Sequence, residues 1–259
     1  MVGLMGSLFL NSALLIFSYA TCWYIIALIK KRNDVADIAW GLGYILLAVF
    51  LIFTMPASDL ANLLYLLIAI WGIRLSVHIF LRSRKKGEDH RYKQWREEWG
   101  SSFYIRSYLQ VFLLQGVFLL IIISPLILAA YSVAAFSIFT WIGLVFWIIG
   151  FFFQSVGDYQ LTVFSRQKKS AEEIIQTGLW KYSRHPNYFG EIMMWWGIYI
   201  MVIPLPNSIW FIVSPLTITC LLVFVSGIPM LEKKYKNHEA FQLYKKRTSA
   251  LIPWPPKNS

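Results

Sequence analysis

The chain has 259 residues, 58% of them hydrophobic and 17% aromatic, with a net charge of +11 and a mean hydropathy of +0.56. Soluble domains carry roughly 45–50% apolar residues, so this composition excludes an ordinary soluble fold. Nor does the positive charge point to nucleic acid, because Lys and Arg fall between hydrophobic runs, as the positive-inside rule expects of cytoplasmic loops.

Several apolar runs reach about 20 residues, enough to cross a membrane at roughly 1.5 Å per residue. The pattern predicts an all-α polytopic membrane protein with seven transmembrane helices, over 7–29, 36–54, 59–81, 108–130, 135–160, 187–204 and 209–229. The first 20 residues hold no Lys or Arg, so the charged region that opens a signal peptide is missing. Lys30–Arg32, the segments 82–107 and 161–186 and the tail 230–259 hold every Lys and Arg except Arg74. The connections Thr54–Ser58, Ala130–Ala134 and Pro204–Ser208 hold none. That bias predicts an N-terminus outside and a C-terminus in the cytoplasm. With no internal repeat, low-complexity stretch or Gly/Ser linker, a single domain over 1–259 is expected. No span carries a strong GxxxG motif, so a monomer is expected. Cys22 and Cys220 lie in apolar runs and read as small core residues.

Ionisable groups inside membrane spans are costly and mark functional cavities. Asp37 falls in the first turn of the second span, where a helix N-terminus favours negative charge, and Trp40, Gly41 and Tyr44 continue its face. Arg74, His78 and Arg82 make a basic stripe at four-residue spacing in the third span. Gln154 and Asp158 share a face of the fifth span, Asn187 and Glu191 a face of the sixth. Four polar faces near the cytoplasmic side predict a water-accessible cavity; structural ion pairs such as Arg74 with Asp158 are the plainer alternative. Pro186 suits the first turn of the sixth helix, so Trp180–Glu191 joins a basic loop to an apolar span.

The loops add Arg82, Arg84, Lys85, Lys86, Arg91, Lys93 and Arg96, interleaved with Glu88, Asp89, Tyr92, Trp95 and Trp99, then Arg166, Lys168, Lys169, Lys181 and Arg184. Guanidinium forks match phosphates and flat rings stack on a base, so a soluble, anionic, adenine-containing cofactor fits. There is no GxGxxG or P-loop to hold it. His78, His90, His185 and His238 show no metal-binding spacing, so no metal site is expected. No GxSxG elbow supports a serine nucleophile, and no pair of Gly/Pro-broken spans marks a transporter.

Ser183-Arg-His-Pro-Asn-Tyr-Phe-Gly-Glu191 resembles the steroid 5α-reductase and sterol reductase superfamily. Asp37-Ile-Ala-Trp-Gly41 and Gly87-Glu-Asp-His-Arg-Tyr92 are similar to its bacterial membrane-reductase branch. Gln154-x-x-x-Asp158-Tyr159 and the terminal Ala250-Leu-Ile-Pro253 also match, so the likeness spans roughly 33–255. Arg-His-Pro alone is shared with membrane isoprenylcysteine methyltransferases. The resemblance implies seven helices around NADPH and reduction of a carbon–carbon double bond conjugated to a ketone, as in a 3-oxo-Δ4 steroid. It implies cofactor contacts from Asn187, Glu191, Gln154, Asp158, Arg82 and Tyr235. Arg91, Tyr92, Arg166, Arg184 and His185 are the further cofactor candidates, the last two nearer the phosphates. The family's second-span Gln–Glu pair has no copy here, Asp37 being the nearest substitute. Its carbonyl-polarising tyrosine aligns with Ile79, beside His78. Asp37, Tyr44 and His78 are therefore the candidates for the catalytic acid, Asp37 either donating a proton or orienting Tyr44. The expected partners are a lipid-soluble, steroid-like enone and membrane lipids, in a bacterial inner membrane with the site open to the cytoplasm. The alternatives are an S-adenosylmethionine-dependent lipid methyltransferase and a non-enzymatic lipid-binding or transport protein.

Overall fold

A computed structural model describes residues 2–84, 87–170 and 172–257; Lys85 and Lys86, two of the basic loop candidates, lie outside the described residues. Among the described residues the secondary structure is helical, with no strand beyond one isolated bridge between Ser183 and Ser249. Six helical stretches are long and apolar enough to cross a membrane: Gly3–Lys30, Val35–Thr54, Asp59–Ser83, His90–Ser132, Ile138–Gln167 and Ser208–Lys234. They make the chain an integral membrane protein. Where the sequence predicts a sixth span at 187–204, the structure has a 17-residue helix, Pro186–Val202, at the short limit of the roughly 17–25 residues a span needs.

The chain divides into two compact units, residues 1–136 with 205–208 and residues 137–204 with 209–259. The first contains α1 (Val2–Lys30), α2 (Val35–Thr54), α3 (Asp59–Ser83), α4 (His90–Trp99), α5 (Phe103–Arg106) and α6 (Leu114–Ser132). Ser58 caps α3, its hydroxyl accepting the Ala61 amide at 3.3 Å, and Asp89 caps α4 by accepting the Arg91 amide at 3.0 Å. Gly100, at φ +48°, bends the chain between α4 and α5. A π-helical stretch, Ser107–Leu113, carries α5 into α6. The core holds Tyr44, Leu47 and Leu51 of α2, Leu60, Leu64, Ile68 and Trp71 of α3, and Ile122, Ile123, Leu126 and Ile127 of α6. Gly41 and Gly72 let α2 and α3 touch at backbone distance: a Cβ on Gly41 would stand 2.8 Å from the Gly72 carbonyl oxygen. The glycine of the Asp-Ile-x-Trp-Gly sequence is thus a packing residue.

The second unit contains α7 (Ile138–Gln167), α8 (Pro186–Val202), α9 (Val213–Cys220), α10 (Ile228–Lys234) and α11 (Glu239–Arg247). Ser137 and Thr140 form a capping box that starts α7. At 30 residues α7 is about 45 Å long. It continues past the end expected near residue 160 and carries Arg166 beyond the apolar stretch.

Candidate functional site

The polar pairs of the second unit are brought together by glycine. Gly143, Gly150 and Gly157 on α7 repeat every seven residues, as do Gly190 and Gly197 on α8. Seven residues is two helical turns, so each set forms one stripe. The stripes face each other antiparallel: a Cβ on Gly190 would lie 2.4 Å from the Gly150 carbonyl oxygen, and one on Gly197 2.6 Å from that of Gly143. Without side chains between them, the backbones approach as membrane helices with small interfacial residues do.

That closeness puts polar side chains directly in reach of one another. Gln154 Nε2 donates to Glu191 Oε2 by a short hydrogen bond, and Trp195 Nε1 donates to Glu191 Oε1 at 3.0 Å. One turn along α7, Asn187 Nδ2 donates to Asp158 Oδ1 at 2.9 Å. Glu191, Gln154 and Asp158 are all buried, Glu191 with 6% of its surface exposed. Two carboxylates and two carboxamides thus occupy adjacent layers, each carboxylate meeting a donor that offsets its desolvation. Trp180 pins the following loop by donating to the Gly157 carbonyl at 3.1 Å, and Gln160 accepts the Leu179 amide at 3.0 Å.

Arg184 and His185, expected nearer the cofactor phosphates, are buried among protein groups. Arg184 donates through Nε and Nη2 to Glu232, and through Nη1 to the carbonyls of Lys245 and Thr248. The His185 ring stacks on Tyr188, with centroids 5.4 Å apart and planes at 6°. Burial holds its pKa below the ordinary histidine value, and the pull of Glu232 opposes this without overcoming it. A histidine kept neutral by the fold binds fewer protons folded than unfolded. The stability this contributes is complete above the unfolded pKa and is lost as acidification passes down towards the folded one. The thermal midpoint of the purified protein is therefore expected to fall between about pH 7.5 and about pH 5.5, with a shallower fall in His185→Gln. Tyr235 packs its ring against Phe241 at 5.1 Å, and Arg166 is exposed.

In the first unit, Asp37 belongs to a different arrangement. Tyr92 donates its hydroxyl to Asp37 Oδ1 at 2.8 Å and Arg91 Nη2 donates to Oδ2 at 2.9 Å. Arg91 Nε also binds the Asp89 carboxylate at 3.0 Å. Burial opposes the charge on Asp89, but the Arg91 amide and guanidinium outweigh it and hold the carboxyl below its usual pKa. Two further ties fasten the same loops: Asn33 donates its amide to Glu88 at 2.8 Å, and Glu88 accepts from Arg96 at 3.0 Å. The Asp37-Ile-Ala-Trp-Gly41 and Gly87–Tyr92 sequences are two sides of one docking point. In this geometry Asp37 accepts hydrogen bonds at both oxygens, from Arg91 and Tyr92. Tyr44 lies about two turns away on α2, fully buried, with its ring edge-on to Trp71 at 5.0 Å and to Trp40 at 5.4 Å. His78 is half-buried on α3, and Arg82 is exposed in its last turn. Tyr92→Phe removes a hydrogen bond to a carboxylate and is expected to cost about 1.5–3 kcal/mol, read as a lower melting temperature in detergent.

Sequence reasoning did not single out Glu232, Trp195 or the glycine stripes. The seven-residue glycine spacing was the available signal for the stripes. Glu232 carried none, since its partners are 47 and 48 residues away in the chain or beyond the next turn of the tail.

A family model described as "Protein of unknown function (DUF1295)" matches residues 23–248, and the chain belongs to that family, known as steroid 5-alpha-reductase-like membrane proteins. No curated protein and no solved structure matches the chain.

Proposed function

From that membership and the buried polar layers of α7 and α8, we propose that the protein is an NADPH-dependent membrane reductase. Its reaction saturates a carbon–carbon double bond conjugated to a ketone in a lipid- or steroid-like substrate. The observation that carries this reading is the set of buried Gln154, Glu191 and Asp158 with half-buried Asn187, on one helix seam and hydrogen-bonded in pairs. A nicotinamide carboxamide offers one acceptor and two donors, and carboxylates beside carboxamides supply the complementary acceptors and donors. Asn187, Glu191, Gln154 and Asp158 would hold that end of the cofactor, while the exposed Arg166, Lys169 and Lys181 would meet its phosphates. Arg184 has its guanidinium committed to Glu232 and the tail carbonyls, which supports a place for it in the frame of the seat. When bound, NADPH supplies the hydride that reduces the β-carbon.

The chain's own task is to orient these groups, exclude water and stabilise charge developing on the substrate oxygen. Asp37, holding Arg91 and Tyr92, is better suited to positioning than to giving up a proton. The topology proposed with this function has seven crossings, counting α8, an outside N-terminus and a cytoplasmic C-terminus in a bacterial inner membrane. The confinement of Lys and Arg to alternate connections supports it.

The direct test is turnover of a model enone. Protein reconstituted in liposomes with progesterone and NADPH is expected to consume absorbance near ~340 nm and yield the saturated ketone. Methyl transfer from S-adenosylmethionine to a lipid-like thiol, with no NADPH oxidation, would replace this reading by the methyltransferase.

A further inference from the structure

We propose that Glu232 is a positioning residue that fixes the start of α8, and with it Asn187 and Glu191; this rests on reading the α7–α8 seam as the seat of a nicotinamide cofactor. Glu232 lies in α10, with 11% of its side chain exposed, and gathers three cationic or ionisable side chains. Its Oε1 accepts from Arg184 at 2.9 and 2.7 Å and stands 3.5 Å from His185 Nε2, while Oε2 accepts from Lys245 Nζ at 2.5 Å. Arg184 and His185 are the last two residues before Pro186, the first residue of α8, and Asn187 follows at once. The carboxylate therefore holds the two residues that set where and in which direction the helix begins.

The tail reinforces the grip along the whole approach to α8. The Arg184 amide donates to Ser249 O at 2.8 Å, Ser183 Oγ to Leu251 O at 2.8 Å, and the Trp254 amide to Tyr182 O at 2.9 Å. Tyr244 donates its buried hydroxyl to the Trp180 carbonyl. Residues 228–254 thus form a strap around Trp180–His185, and Glu232 is its ionic fastening. The buried Arg184 charge makes that fastening sensitive, because removing one partner of a buried ion pair leaves the other uncompensated. Glu232 holds Arg184 and stands beside His185, so its influence on the seat runs through these two residues and Pro186. Misplacing binding groups by about 1 Å can lower function about 10²-fold.

The test uses the full-length purified protein and Glu232→Gln, which keeps the shape and removes the charge. Amide hydrogen exchange over 184–191, measured without nucleotide, is expected to speed up. The dissociation constant for NADPH, and KM for it, should rise about 10²-fold, with kcat at saturation changing less. Glu232→Asp should recover part of both effects. Lys245→Met, which removes a half-exposed cation and leaves Arg184 paired, should move both readouts in the same direction by less. It remains measurable if Glu232→Gln does not fold. Unchanged exchange over 184–191 in these variants overturns the proposal, as does faster exchange with wild-type NADPH affinity. A wild-type protein that binds no NADPH overturns the seat itself; normal wild-type binding with unaffected variants overturns the role of Glu232 alone.

Discussion

Gly190→Leu is expected to abolish the native fold of the second unit, seen as loss of the monodisperse species in detergent. The position has no room even for a methyl group. An added Cβ would come 2.4 Å from both the Gly150 carbonyl oxygen and the Gln154 amide nitrogen, and 3.0 Å from the Gln154 Cα. All three are backbone atoms, so no side-chain rotation relieves the clash and the helices must separate. Separation would pull Gln154 from Glu191 and Asn187 from Asp158, leaving buried polar groups without partners. The cost should exceed the roughly 1–3 kcal/mol of ordinary overpacking, a large share of the ~5–15 kcal/mol that a typical protein has to lose. Gly6→Leu in α1 is the control: nothing lies within 4 Å of a Cβ there, and its melting temperature should match the wild type.

Glu191→Ala should leave the fold recognisable and remove nicotinamide nucleotide binding. The side chain accepts from Gln154 and Trp195, and in the proposed seat it would accept from the cofactor amide as well. Hydrogen bonds to charged groups contribute about 1.5–3 kcal/mol each. At ~1.4 kcal/mol per tenfold, loss of a contact to the cofactor together with disorder of Gln154 gives about 10²-fold weaker binding or more. Glu191→Gln, of equal size, separates the contributions: it should retain most of the melting temperature while still binding NADPH poorly. If Glu191→Ala binds NADPH as the wild type does, Glu191 has no place in the seat.

How much of this was legible in the sequence depended on how local the cause was. Apolar runs fixed six long helices because their hydrophobicity is continuous, and Pro186 marked the start of α8 because its ring suits that position. The four-residue spacings of Gln154 with Asp158 and Asn187 with Glu191 correctly put each pair on one helix face. Their partners across the seam could not be read the same way. The two stripes that align them repeat every seven residues, whereas the motif usually sought for close helix packing has four. Asp37 shows the limit more sharply. Its spacing to Tyr44 suggested a partnership along α2, yet its oxygens are held by Arg91 and Tyr92, more than 50 residues on. An isolated carboxylate in a span reads as an acid looking for a substrate; only tertiary structure shows an arginine already beside it. Arg184 repeats the lesson in reverse, as a basic residue suited to phosphates whose guanidinium is taken up by Glu232.

The proposed reduction requires that α7 and α8 seat a nicotinamide nucleotide. Native mass spectrometry of the purified protein, titrated separately with NADPH and with S-adenosylmethionine, tests it most directly. A one-to-one NADPH complex that is lost in Glu191→Ala is expected, with no complex with S-adenosylmethionine. A stable S-adenosylmethionine complex, with none for NADPH, would contradict it.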